Sequence, residues 1–220
     1  MVETRRQQIE NTASELFRER GYAATSVRDI ARALDMQGAS LYAHVASKED
    51  VLWSIVTRAA ARFDAAVAPI AADNGKPAAD RLADMIRAHI TVVTGDLGNA
   101  SSFLDEWRFL SDERRADVAR RRDGYEARFR EVIAQGIAAG EFEAQADANL
   151  AATLILSALN GVAGWYRADG SLSAEEIGRQ FAVLLLSGLR TRSGEAAPAR
   201  PPENPIQPRR GPSDIEAILR

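Results

Sequence analysis

A chain of 220 residues, 46% hydrophobic and 27% charged, can bury a substantial core, and its alanine-rich balance argues against a disordered or membrane-spanning protein and for a helical one. It contains no cysteine, which excludes disulfides, thiolate metal sites and cysteine nucleophiles. The net charge is −3, and residues 1–50 hold seven Lys and Arg against eight Asp and Glu, so bulk charge does not announce a nucleic-acid binder.

The N-terminal stretch carries arginines but no apolar core of a signal peptide, and the chain's densest apolar run, Phe181 to Leu186, is too short to span a bilayer. A cytoplasmic protein with no membrane association is expected. From about Glu3 to Arg20 the apolar positions Ile9, Ala13, Leu16 and Phe17 recur at helical spacing, and Gly21 is placed as a stop. A short helix with Val27, Ile30, Ala31 and Leu34 follows, with Thr25 as its expected cap. After a turn around Asp35–Gln37, a second short helix holds Leu41 and Val45 on its inner side. Ser47 with Asp50 reads as a capping box. It opens a long helix carrying Val51, Leu52, Ile55, Val56 and Phe63, expected to end near Pro69.

Helical periodicity continues through Leu82, Met85, Ile86, His89, Ile90 and Val93, then Phe103, Leu104 and Trp107, then Val118, Tyr125, Phe129, Val132, Ile133 and Ile137 up to Gly140. Two strongly apolar helices are expected over about Asp147–Ala168 and Ser173–Arg192. From Ser193 the composition turns to a tail holding six of the eight prolines, expected to be flexible. No strand-period segment competes, so the fold class is all-α.

The segment from Thr25 to Leu52 places two short helices across a tight turn, the geometry that lets the second enter the major groove while the first braces it. It resembles the DNA-binding domain of TetR/AcrR-family regulators. The resemblance rests on Leu16-Phe17 with Gly21-Tyr22, then Thr25-Ser26-Val27-Arg28-Asp29-Ile30-Ala31, Ser40-Leu41-Tyr42-Ala43-His44-Val45 and Ser47-Lys48-Glu49, and covers about Thr4 to Ala61. It implies an N-terminal three-helix DNA-binding domain over 1–61, a ligand-binding and dimerisation bundle over 62–192 and a tail over 193–220. It also implies roles. Thr25, Ser26, Val27 and Arg28 would meet the DNA backbone at the start of the bracing helix, with Tyr42, His44 and Lys48 as further phosphate contacts. Gln37, Gly38, Ala39 and Ser40 would approach base edges, where Gln pairs with adenine and small residues permit close contact.

The same resemblance implies a homodimer on double-stranded operator DNA and a small-molecule effector. The stripes on the last two helices agree with a dimer face, for which Leu154, Ala158, Gly161, Trp165, Phe181, Leu184, Leu185 and Gly188 are the candidates. Candidate effector-lining residues are Met85, His89, Phe103, Trp107, Arg108, Arg122, Tyr125, Phe129 and Trp165. Eight arginines between Trp107 and Arg130 face five acids. That run suits either a phosphorylated ligand such as an acyl-CoA or a solvated face laced with pairs such as Asp117–Arg121.

His44 and His89 have no metal-ligand spacing, and no nucleophile elbow or phosphate-binding glycine loop occurs, so neither a metal, a cofactor nor an enzymatic activity is called for. The alternative to a repressor is a helical adaptor whose helix-turn-helix has lost DNA binding.

Overall fold

The computed structural model describes residues 4–190, which form nine α-helices and two short 3₁₀ turns with no strand among the described residues. Glu3, Arg192 and the expected tail from Ser193 lie outside them. Helix α1 (Arg5–Arg20) is capped by Thr4, which forms a reciprocal box with Gln7, and ends on Gly21 at φ +80, a left-handed conformation that glycine tolerates without a Cβ clash. Ile9, Ala13, Leu16 and Phe17 of its inner face are buried with Ile30 and Ala31 of α2 (Val27–Ala33) and with Leu41 and Val45 around α3 (Gly38–Tyr42). This apolar wedge fixes the angle between α2 and α3.

Helix α4 (Lys48–Ala71) is capped by Ser47 and belongs to both halves of the molecule: Val51, Leu52 and Ile55 are buried near its start, Phe63 and Val67 near its end. The boundary expected after Ala61 therefore falls inside a continuous helix. Pro69 does not end it. A proline in the last turn removes one hydrogen bond, and the helix closes at Ala71.

The larger half consists of α5 (Ala78–Gly95), α6 (Leu97–Leu104), α7 (Asp112–Ala138), α8 (Ala148–Asn160) and α9 (Ala174–Ser187), with 3₁₀ turns at Glu106–Phe109 and Gly161–Gly164. Helix α5 lies between α4 and α9, and α7 packs on α4, α5 and α8. The helix expected to run to Ala168 stops at Asn160: Gly161 to Gly164 tighten into a 3₁₀ turn, where paired glycines give the helix little reason to continue.

Helix α6 crosses to the N-terminal half and packs on α1. Gly98 permits this approach, since a Cβ there would lie 2.8 Å from Ser14 Oγ and Glu15 Oε1 and 3.1 Å from the Ser14 backbone. Polar contacts join the same region. Glu10, buried on α1, accepts from Arg58 at 2.6 Å and from Ser54 at 2.6 Å, and Arg58 reaches on to Asn11 and Asn99.

Candidate DNA-reading helix and effector cavity

Helix α3 has Gln37 as its N-cap residue with no side-chain cap hydrogen bond, so the polar groups at its entry are free to face outward. Gln37, Ser40, Tyr42 and His44 are exposed and Gly38 is half-buried, while Leu41 and Val45 anchor the opposite side in the core. Ala39 lies within the helix, and its side chain is outside those described. Asp35 takes a left-handed φ of +52 in the turn between α2 and α3, a conformation aspartate tolerates better than most residues.

Two of the expected backbone contacts, Thr25 and Lys48, stand differently from the sequence reading, and the cap of α2 is a different residue. Ser26, not Thr25, caps α2, accepting from the Asp29 N–H while Asp29 accepts in return from the Ser26 N–H. Thr25 is buried, and its hydroxyl donates to the Gly21 carbonyl at 2.9 Å, so it holds the preceding loop rather than facing solvent. Lys48 is turned inward as well. Its ammonium donates to the Tyr22 and Thr25 carbonyls at 2.9 and 2.8 Å and sits 4.1 Å from the centre of the Tyr22 ring, with partial burial lowering its pKa. These contacts brace the loop before α2. Ser26 and Arg28 are exposed and Val27 is half-buried.

The two halves meet at a second set of contacts. The Tyr22 N–H donates to Glu106 at 3.3 Å and the Tyr22 ring stacks on Phe109 at 5.4 Å. Arg114, at the start of α7, pairs with Glu49 and Asp50 at the start of α4 and lies over Trp53. Glu49 also accepts the Ser111 N–H at 3.1 Å. That bond and Arg114 hold the Glu49 carboxyl below its ordinary pKa. Sequence spacing carries no sign of these pairings.

Inside the larger half, Phe63, His89, Phe103, Tyr125 and Phe129 form one aromatic cluster with neighbouring ring centres 4.9 to 5.9 Å apart. A cavity of about 410 Å³ opens against Phe63, Phe103 and Tyr125 and is flanked by Asp64 and Arg128, which pair at 2.9 Å across α4 and α7. On the other side of Phe103 and Tyr125 lies a space of about 180 Å³ bounded by Arg122, Leu156, Ser157 and Asn160. A third space, of about 350 Å³ towards Ser101, Leu104 and Gly161, shares Arg122 and Asn160 with it. The two larger volumes are of the order that small ligands fill.

Of the expected lining residues, Phe103, Tyr125 and Arg122 bound these spaces. Met85, Phe129 and His89 stand in the buried core beside them, and Trp107 is half-buried. Arg108 is an exposed residue packed over Phe109. Trp165 lies on the outer surface against Phe181, about half exposed at 52%, and lines none of the three spaces. Sequence reasoning missed Phe63, Leu156 and Asn160; Phe63 was legible as a helical apolar position, but Asn160 was concealed in a helix expected to be continuous.

The arginine run divides in the same way. Arg114, Arg115, Arg120, Arg121 and Arg128 are ion-paired, Arg121 with Asp117 at 2.7 Å as the helical spacing implies. Arg122 makes no ion pair: it donates to the Phe103 carbonyl at 3.0 Å and lies between the Phe103 and Trp107 rings, where burial lowers its pKa. A larger groove of about 510 Å³ between α5 and α9 is lined by Lys76, Arg87 and Arg179. Of its cations, Lys76, Arg87 and Arg179 are already matched by Asp84 and Glu176; Arg190 lines it as well, and no aromatic ring does.

On the outside of α8 and α9, Leu150, Leu154, Trp165, Leu172, Val183 and Leu184 are exposed, Leu184 to 69%. Phe181, Leu185 and Ala158 are half-buried beside them, and Gly161 and Gly188 are open. Among the described residues no group of His, Asp or Glu could hold a metal ion, and no helix is long and apolar enough to cross a membrane.

A helix-turn-helix joined through one long helix to a helical bundle with an internal cavity defines a class of bacterial regulators. Residues 9–55 match the model for bacterial regulatory proteins of the tetR family, and residues 75–189 match a tetracyclin repressor-like C-terminal domain. The chain belongs to the tetR family. It is 28% identical over 194 residues to the transcriptional repressor KstR2 of Mycobacterium tuberculosis, covering 88% of this chain and 96% of that one. The solved structure of that ketosteroid regulator superimposes with a TM-score of 0.82, covering 87% and 98% of the two chains at 28% identity. PfmR of Thermus thermophilus is 34% identical with a TM-score of 0.75 over 83% of this chain and 99% of its own. AibR, solved with isovaleryl coenzyme A and operator DNA, is 28% identical with a TM-score of 0.75 over 83% and 98%.

Proposed function

We propose that this chain is a cytoplasmic transcriptional repressor that binds a palindromic operator as a homodimer and is released by an acyl-CoA effector. The observation that carries the DNA-binding reading is the exposed row Gln37, Ser40, Tyr42 and His44 on a short helix whose opposite face is locked into a core. Gln37 and Ser40 are the groups for base edges, with Gly38 and Ala39 leaving room for close approach. Tyr42, His44, Arg28 and Ser26 are the groups for phosphates, where position is fixed and sequence is not read. The reading as a regulator, not an enzyme, accords with the family.

The apolar face of α8 and α9 is the candidate surface for a second copy, since contiguous exposed leucines and a tryptophan on a monomer are costly to leave in water. The effector reading is supported by an unpaired guanidinium beside an aromatic-lined cavity, a combination suited to a ligand with an apolar part and a phosphorylated handle. AibR, a structural relative, was solved with a ligand of this class.

Control is a population shift. Effector in the cavity favours an arrangement in which the two recognition helices no longer match successive major grooves. Besides the covalent path through α4, contacts lead from Arg122 and Phe103 to the Glu106–Phe109 turn and on to Tyr22.

Fluorescence anisotropy with duplexes from the DNA flanking the protein's own gene tests the reading. Saturable binding at low salt that weakens with a Tyr42→Ala variant, and on addition of isovaleryl-CoA, is the expected result. Failure of the wild type to bind any flanking duplex would favour the adaptor alternative.

A further inference from the structure

The largest of the three spaces around the aromatic cluster opens between α4 and α7, and its floor and rim differ in chemistry. The buried rings of Phe63, Phe103 and Tyr125 make the floor, while Asp64 of α4 and Arg121 and Arg128 of α7 reach solvent at the rim. Arg122 serves the smaller spaces beyond Phe103 and Tyr125 and does not line this one. On α7 the positions 121, 124, 125 and 128 follow the spacing i, i+3, i+4 and i+7, so both arginines share a face with Gly124 and Tyr125. Two turns of helix, about 10 Å, separate the arginine backbones.

The rim holds donors in reserve. Arg121 donates to Asp117 through Nε alone, at 2.7 Å, and Arg128 to Asp64 through Nε alone, at 2.9 Å. The terminal NH₂ groups of both are left without a hydrogen bond among the described residues. Arg120 shares Asp117 with Arg121, so three guanidinium groups face two carboxylates. The Asp64–Arg128 pair is also loosely held: its side chains are 50% and 37% exposed, and ion pairs so open to water stabilise little. A phosphate brings more charge and three acceptor oxygens, which guanidinium groups grip through paired N–H bonds. Asp64 meanwhile projects its charge inward, since burial and then the Asp64 carboxylate raise the pKa of the Tyr125 hydroxyl.

Gly124, between the two arginines, is exposed, and a Cβ there would meet nothing within 4 Å. Packing does not require a glycine at this point, and the helix is weaker for having one. Its effect is to bare the α7 backbone at the mouth, with only the small side chains of Ala60, Ala61 and Ala65 lining the α4 side beside Phe63 and Asp64.

We infer that Arg121 and Arg128 clamp the phosphorylated handle of the effector at this mouth, with its apolar part passing Gly124 onto the aromatic floor, and that the handle takes Arg128 from Asp64. The inference rests on the reading of this cavity as the acyl-CoA site. It adds the residues that hold the handle, an entry between α4 and α7, and a consequence: binding opens an ion pair that ties α7 to the helix leading into the DNA-binding half.

Isothermal titration with isovaleryl-CoA and with isovaleryl-pantetheine, the same thioester without its phosphates, separates handle from acyl part. Arg128→Gln and Arg121→Gln should each weaken isovaleryl-CoA about 10-fold, the scale of a lost charge-assisted contact, and leave the pantetheine ester within about twofold. Asp64→Asn should act in the opposite sense to the loss of a structural contact, tightening isovaleryl-CoA about 3-fold or more with the pantetheine ester unchanged. In the Asp64→Asn, Arg128→Gln double variant that gain should vanish, as coupled partners require. A gain that survives without Arg128, or no gain in Asp64→Asn, would overturn the exchange. Equal losses of both esters in the arginine variants would overturn the clamp and leave the acyl-CoA reading intact. If isovaleryl-CoA binds neither the wild type nor Asp64→Asn, the acyl-CoA reading fails, and the clamp is tested with decyl phosphate against decan-1-ol by tryptophan fluorescence. A preference for the phosphate that Arg128→Gln abolishes supports it, and equal or absent binding of that pair overturns it.

Discussion

The Glu106 carboxylate accepts the backbone N–H of Tyr22 at 3.3 Å, so a turn that begins beside the aromatic-lined cavity ends against the loop that opens the helix-turn-helix. Phe109, three residues on, stacks on the Tyr22 ring, and Lys48 grips the Tyr22 carbonyl. Tyr22 is thus held on one side by the regulatory half and on the other by α4.

A Glu106→Ala, Phe109→Ala double variant should therefore separate binding from response. Effector affinity, read by titration with isovaleryl-CoA, is expected to stay within about twofold. The weakening of operator binding by effector should shrink from the order of 10-fold, a usual allosteric coupling, to below about 3-fold. Undiminished coupling would confine the signal to α4.

Gly98 is the close approach between α6 and α1. Its replacement by Ala puts a methyl 3.1 Å from the Ser14 backbone, closer than most carbon contacts allow, so the helices must separate by a few tenths of an ångström. The expected result is a loss of about 1–3 kcal/mol of stability in urea unfolding, together with weaker operator binding in the absence of any effector. A Gly98→Ala protein that unfolds early but binds DNA normally would show that α1 and α6 need not stay in register.

The two adjacent hydroxyls before α2 have separate tasks. Ser26→Ala removes an N-cap and should cost about 1 kcal/mol. Thr25→Val removes a buried donor from the Gly21 carbonyl and should cost about 1–3 kcal/mol. Denaturant midpoints of the two variants, compared at unchanged slope, check both values.

Much of this was legible in the chain itself. The apolar spacing of Ile9, Leu16, Ile30 and Leu41 specifies the three-helix wedge because those side chains have nowhere else to be buried. Choosing Ser26 over Thr25 as the cap required weighing Asp29, three residues beyond Ser26, which closes the box. The inward turn of Lys48 depends on carbonyls 26 and 23 residues away, and the Tyr22–Glu106 contact spans 84 residues. Periodicity carries no information about such closures. Asn160 was hidden because a continuous helix and a helix broken at Asn160-Gly161 share the same apolar pattern up to the break.

The outer face of α8 and α9 gives a direct test of assembly. Leu154→Glu with Leu184→Glu places a charge in each exposed stripe, where the monomer tolerates it and a desolvated interface does not. Light scattering after size exclusion should register a monomer for the double variant against a dimer for the wild type, with circular dichroism unchanged. A wild-type monomer at micromolar concentration would remove the basis for a palindromic operator.

His89 makes the regulatory half acid-sensitive in a calculable direction. Its folded pKa is lowered to about 3 by burial, against about 6.5 in an unfolded chain. Above pH 6.5 both states are neutral and the full stability is present. Between about 6.5 and 3 the unfolded chain binds a proton that the folded one does not, so stability falls as pH falls, by about 1.4 kcal/mol per pH unit from this group. His89→Phe removes the titration while keeping a ring in the cluster. Urea unfolding of the wild type and the variant at pH 7, 6 and 5 should therefore converge: the wild type loses stability more steeply, and the difference between the two proteins shifts towards the variant by about 1 kcal/mol or more across that range. Parallel curves would mean that His89 finds a proton-stabilising partner in the folded state, with the Asn160 oxygen the nearest candidate.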